Sequence, residues 1–131
     1  MIQTIDQKAA RFSRDRIDQV NREKNDDLKK KYRSLARGFA AMVQMNGLPS
    51  ALAFLKAKGK QEHTMLYGHI NEWIKNRFAA NQQNFDVLSS VERGDDQVLR
   101  LYTQSAIQLM SWLRKYAEAE LPEPDDQDQG D

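Results

Sequence analysis

Between Leu28 and Met42 the apolar residues recur as Leu28, Tyr32, Leu35, Phe39 and Met42, at spacings of 4, 3, 4 and 3. That is the period of a helix with one buried stripe. The same spacing returns along the chain. Ile5, Ala9, Phe12 and Val20 share one face of a first segment, and Leu48, Leu52 and Leu55 line a short third one. Leu66, Ile70, Trp73 and Ile74 mark a fourth, and Val98, Tyr102, Ala106, Leu109, Leu113 and Tyr116 mark the last. No stretch alternates at period two long enough for a strand. The pattern predicts an all-α protein, a compact bundle of about five to six helices.

The punctuation between stripes sets the boundaries. Thr4 and Gln7 are spaced as a capping box, which predicts a helix from about Ile5 to Arg22. Asn25 can cap the next, with Asp26 and Asp27 favouring the positive end of its dipole. Gly47 closes that helix, Pro49 opens another, and Gly59 closes it in turn. The fourth helix runs to about Phe78, and a short helical turn around Phe85–Val91 ends at Gly94. Asp95 or Asp96 starts the last helix, which runs to about Glu120 before Pro122 and Pro124 stop it. Residues 1–121 are expected to form a single helical domain, and 122–131 an acidic, disordered tail.

Charge changes this picture in one respect. The net charge of +1 is the sum of a basic body and an acidic end. Residues 122–131 carry five acidic side chains and no basic one, whereas the other 121 residues hold 20 basic and 14 acidic side chains. A body at +6 is compatible with a polyanionic partner, although where the charge sits matters more than its sum. The chain has no cysteine, so disulfides and thiolate metal sites are excluded. No apolar run reaches the length of a membrane span or of a secretory signal core, and the expected location is cytoplasmic.

Catalytic motifs fail one by one. A P-loop needs two glycines separated by four residues, then Lys and Ser or Thr. Here Gly59-Lys60 is followed by Gln61, and Gly47 lies twelve residues upstream. His63 and His69, six apart, point about 240° from one another on a helix and cannot share a metal. They are expected to be ordinary surface or boundary residues. Asp95-Asp96 is explained by capping, and Ser89-Ser90 has no nucleophile-elbow context. The expectation is a protein without catalytic residues, metal or cofactor.

The basic residues divide by helix. On the first, Arg11–Asp15, Arg14–Asp18 and Asp18–Arg22 are spaced for pairing within the helix. Arg16 falls on the apolar side, as a snorkelling edge residue or an interface contact. On the second, Lys30, Arg33 and Arg37 form a row of one sign, expected to point opposite the apolar stripe, with Lys29 and Lys31 beside it. Such a row can track phosphates or simply be solvated. Lys56, Lys58 and Lys60 form a second cluster. Arg100, Gln104, Gln108, Ser111 and Lys115 make an outward polar strip on the last helix, with Arg114 adjacent. Tyr32, Phe39, Trp73 and Trp112 are expected on inner faces, as core.

The segments "YRSLARGFAAMVQMNGLPSALAFLKAKG" and "LRLYTQSAIQLMSWLRKYAEAEL", with the opening "TIDQKAARFSRDRIDQV", resemble the small all-helical subunit of the type III-B (Cmr) CRISPR RNA-guided effector complex. The resemblance extends to Leu121 and is most specific in "NGL…ALAFLK" and "WLRKYAEAEL". The chain departs from it at Phe39, where the family is associated with a proline, and in the acidic end after Pro122. The resemblance implies a non-catalytic subunit, several copies of which stack beside the subunits that hold the guide RNA and help hold the target strand. Cleavage belongs to other subunits. On this reading the partners are the other subunits, neighbouring copies and guide or target RNA, with no membrane. Lys30, Arg33 and Arg37 are the expected RNA-facing row, followed by Lys56, Lys60 and Lys115. The alternative is a purely structural adaptor that never touches RNA; a small hydrolase or metal enzyme has least support. The acidic end reads as a solubilising tail, with competition against RNA as its other reading.

Overall fold

The computed structural model describes residues 2–124. Six helices follow in order: α1 (Ile5–Asn21), α2 (Asp26–Asn46), α3 (Leu48–Lys58), α4 (Gln61–Phe78), α5 (Val87–Arg93) and α6 (Asp96–Glu120). No strand occurs among the described residues, so the all-α reading holds. Residues 125–131, where the sequence predicts most of the disordered tail, lie outside them.

The helix ends follow from local chemistry. Thr4 and Gln7 exchange both bonds of the capping box, at 3.0 and 2.8 Å. Asn25 accepts the Leu28 amide at 3.2 Å, and Asp95 accepts that of Val98 at 3.0 Å. Gly47 ends α2 and starts α3 at once. Its N–H donates to the Val43 carbonyl at 2.8 Å while its own carbonyl accepts from Ala51 at 3.1 Å. This dual role is met at φ 88°, which favours glycine. Gly59 closes α3 in the left-handed region, at φ 62°.

α6 is central, packing along both α1 and α2, while α4 closes the other side of α2 and supports α3. It buries Tyr102, Ser105, Ala106, Leu109, Met110, Leu113 and Ala117. Tyr32, Phe39, Leu52, Leu66, Ile70 and Ile74 meet them in one core. One buried polar group among them is satisfied: Ser105 Oγ accepts from the Trp73 indole N–H at 2.9 Å and from Arg77 at 3.1 Å.

Two expectations need correction. The buried line of α2 is Leu28, Tyr32, Ala36, Phe39 and Val43, with Leu35 and Met42 only half-buried. A straight helix turns every 3.6 residues, so a stripe read at 3.5 drifts around it, and burial moves one position along within two turns. On α1, none of the expected Arg11–Asp15, Arg14–Asp18 and Asp18–Arg22 pairs forms among the described residues. Of these arginines Arg14 reaches another helix, and so does Arg16 on the apolar side. Arg14 lies 4.7 Å over the Tyr116 ring, and Arg16 lies 4.4 Å over Phe12 and bonds Glu72 at 2.7 Å. Exposed pairs gain little, so a packed aromatic face outcompetes them.

Candidate nucleic-acid interface

The seam between α2 and the end of α6 is built around an electrostatic need. The last turn of α6 contains no basic residue, although its free carbonyls form the negative pole of the helix. Arg33, from α2, supplies the charge. Its guanidinium donates to the Leu121 carbonyl at 3.0 Å. Arg33 is therefore half-buried, and the row does not simply point away from the core.

One turn further along α2, Arg37 is exposed and makes no ion pair among the described residues. Arg114 faces the same space from α6, paired with Glu118 at 3.1 Å on its own helix. Arg33, Ser34, Arg37, Arg114, Glu118, Glu123 and Pro124 line an open cleft of about 360 Å³. Three guanidinium groups thus meet two carboxylates. Lys30 continues the α2 row, half-buried, before Arg33.

The other expected residues are elsewhere. Lys56 Nζ lies 3.4 Å from Asp86 and 4.9 Å from the Tyr67 ring centroid. Asp86 is the N-cap of α5, accepting the Ser89 amide at 3.0 Å and the Tyr67 hydroxyl at 2.6 Å. Burial alone would raise the Asp86 pKa, but the bonds from Tyr67 and Ser89, with Lys56 nearby, hold it below its ordinary value. Burial and the same bond to Asp86 raise that of Tyr67. Lys60 is exposed at the start of α4, and Lys58 sits 5.9 Å from the Phe54 ring. Lys115 lies on the α1 side, 4.6 Å over Trp112. The six expected residues therefore occupy three places, and one of those places gains Arg114.

Trp112 also departs from expectation. It is half-buried at the α1–α6 seam, donating to Asp6 at 2.9 Å and stacked on Tyr116. Gln108 of the outward strip reaches the same Asp6 oxygen at 3.4 Å.

The histidines are more enclosed than surface residues. His63 is buried, its ring edge against Phe54. Burial lowers its pKa, opposed by the neighbouring Glu62. His69 is half-buried with Nδ1 2.7 Å from the Tyr32 hydroxyl. Burial, reinforced by the Arg16 charge, brings His69 down to about 4. The neutral ring and the Tyr32 hydroxyl share this bond, the tautomer setting which donates, and complete burial raises the pKa of Tyr32. Among the described residues no group of three or more His, Cys, Asp or Glu side chains is arranged to hold a metal ion.

The family model for CRISPR-associated protein (Cas_Cmr5) matches residues 5–120, from the first residue of α1 to the last of α6. The chain belongs to the CRISPR-associated Cmr5 family. The resemblance read from the sequence is upheld, and Cmr5 membership makes the chain a small subunit of a CRISPR effector complex containing other subunits. The fold is similar to the crystal structure of a CRISPR-associated Cmr5 family protein from Thermus thermophilus. That comparison gives a TM-score of 0.76 at 18% identity, covering 92% of this chain and 100% of that one. At such identity it is the fold that is shared. The segment after Glu120 lies beyond the Cmr5 match. No helix among the described residues is long and apolar enough to cross a membrane.

Proposed function

We propose that the chain is a non-catalytic small subunit that stacks along the body of a type III-B CRISPR ribonucleoprotein complex and helps hold target RNA during antiviral defence in the cytoplasm. The α2–α6 seam is its RNA-facing edge. The observation that carries this is the convergence of Arg37 and Arg114 from two helices on one open cleft. A guanidinium presents paired donors that match phosphate oxygens. Neither group is committed to the core. Arg37 has no ionic partner among the described residues, and the exposed Arg114–Glu118 pair is of the kind that contributes roughly 0–1 kcal/mol.

One copy offers few phosphate contacts, so binding by a single subunit is weak and salt-sensitive, and stacking extends the row. Phe78, Leu99 and Leu101 leave apolar surface around Tyr102 that a neighbour can cover. A non-catalytic role is supported by His63 and His69, which are packed against Phe54 and bonded to Tyr32, and by Asp86, which caps α5.

The test is photocrosslinking of target RNA in the assembled complex, with adducts mapped by mass spectrometry. RNA adducts in the segments around Arg37 and Arg114 are expected. Protein–protein products alone at these positions would replace this reading with the structural adaptor.

A further inference from the structure

α1 and α6 pack along one another, and their outer seam carries two half-buried rings. Trp112 and Tyr116, one turn apart on α6, are stacked with centroids 5.9 Å apart and planes 26° from parallel. The indole N–H donates to Asp6 at 2.9 Å, so α1 holds the ring in place from across the seam. Gln108 reaches the same oxygen at 3.4 Å, and that carboxylate is thereby engaged.

Each ring also carries a cation. Lys115 Nζ lies 4.6 Å from the Trp112 centroid, and the Arg14 guanidinium 4.7 Å from that of Tyr116. Both side chains are exposed, and neither forms an ion pair among the described residues. A solvated ammonium reaches only a ring face that solvent also reaches, so the face of Trp112 under Lys115 is open. Arg11, three residues before Arg14, lines an open cleft of about 580 Å³ with Ile2, Gln3, Gln7 and Lys8. Four cations thus lie along a pair of pre-stacked rings.

We propose that this seam is a base-stacking platform for single-stranded RNA, separate from the α2–α6 cleft. An unpaired base lies over Trp112 in the place of Lys115, and the flanking phosphates go to Lys115, Arg14 and Arg11. This rests on the reading that the chain holds RNA, but not on the cleft. The exchange favours the base. Its stacking on an aromatic ring is stronger than an exposed cation–π contact, and the displaced ammonium gains a phosphate. The charges favour RNA over a protein partner, because the core of a protein interface is depleted of charged groups and here they lie directly on the rings. The two faces divide the work. Guanidinium groups around the α2–α6 cleft engage phosphates whatever the bases do, whereas the platform accepts only a base that is out of a duplex, with little regard to sequence.

The two tryptophans allow a direct test on the full chain, because Trp73 is buried against Ser105 and reports the fold while Trp112 reports the platform. A short oligouridylate, and an abasic ribose-phosphate oligomer of the same length, are titrated at roughly 50 mM salt and followed by NMR. Oligouridylate is expected to move the Trp112 ring signals and leave those of Trp73 in place, and the abasic oligomer to leave both. Trp112→Leu should weaken binding several-fold and Trp112→Phe restore most of it. Arg14→Gln with Lys115→Gln, both exposed, should weaken it without disturbing Trp73.

Equal movement of Trp112 with the abasic oligomer would make the ring a bystander of charge and overturn the stacking. RNA that moves the Arg37 side-chain signal while Trp112 stays overturns the platform and leaves the α2–α6 edge standing; the reverse upholds the platform and overturns the edge. No movement at either place up to millimolar oligouridylate overturns the platform and leaves the edge to crosslinking in the assembled complex. Broadening of Trp112 that grows with protein concentration alone would seat a second copy on the seam and overturn the proposal.

Discussion

At the α3–α4 corner Lys56, Lys58 and Lys60 lie within five residues; at the α2–α6 seam Arg33, Arg37 and Arg114 come from two helices far apart in sequence. The corner is the more conspicuous cluster in the sequence. Two of its three lysines lie beside neighbouring groups, Lys56 by Asp86 and Tyr67 and Lys58 by the Phe54 ring, although both stay exposed. At the seam one arginine is committed to the end of α6, and the other two are left around an open cleft. A half-buried charge that bonds a helix end, as Arg33 does, is part of the fold, whereas an exposed charge beside a carboxylate or a ring is held by only about 0–1 kcal/mol. The difference lies in what surrounds each charge, which the sequence density of lysines does not report.

The largest predicted effect tests the frame that both regions share. His69 titrates near 6.5 when unfolded and about 4 when folded, so between those values the unfolded chain binds more protons. Stability is therefore complete above about pH 6.5 and falls toward pH 4, by on the order of 2–3 kcal/mol. His69→Gln should flatten that decline, as read by urea unfolding across the range. A decline unchanged in the variant would assign it to other groups.

Asp86→Ala removes the α5 cap, the acceptor of Tyr67 and the partner of Lys56. Stability should fall by about 2 kcal/mol, with target retention unchanged at temperatures where the variant is folded. Next comes Arg33→Ala, expected to cost about 1 kcal/mol through the missing bond at the negative end of α6. Arg37→Ala, one turn away, should leave the thermal midpoint unmoved. Equal losses from the two arginines would erase the division drawn within the seam. Lys56→Ala is the smallest, at roughly 0–1 kcal/mol, because its ion pair is half-exposed.

What the sequence made legible follows the same line between local and distant chemistry. Thr4, Asn25, Gly47, Gly59 and Asp95 act within a few residues of themselves, and the structure has each where the pattern put it. The Asp86 cap was hidden by the irregular polar stretch before α5. Arg33 belongs to a row that looked uniform, and only the arrival of Leu121 from the far end of the chain sets it apart from Arg37. Arg114 was visible as a neighbour of the polar strip, but nothing in its own helix announces that it faces α2. Trp112 shows the converse: its spacing suits a core position, but α1 offers Asp6 to its N–H and holds it at the rim.

The most direct test of the seam as RNA edge is target retention by complexes carrying Arg37→Glu with Arg114→Glu, set against complexes carrying Lys56→Glu with Lys60→Glu, across a salt titration. The seam pair should weaken retention and lower the salt slope by about one for each phosphate no longer neutralised, while the corner pair leaves both close to wild type. Retention and slope unchanged in the seam pair, or reduced only in the corner pair, would contradict it.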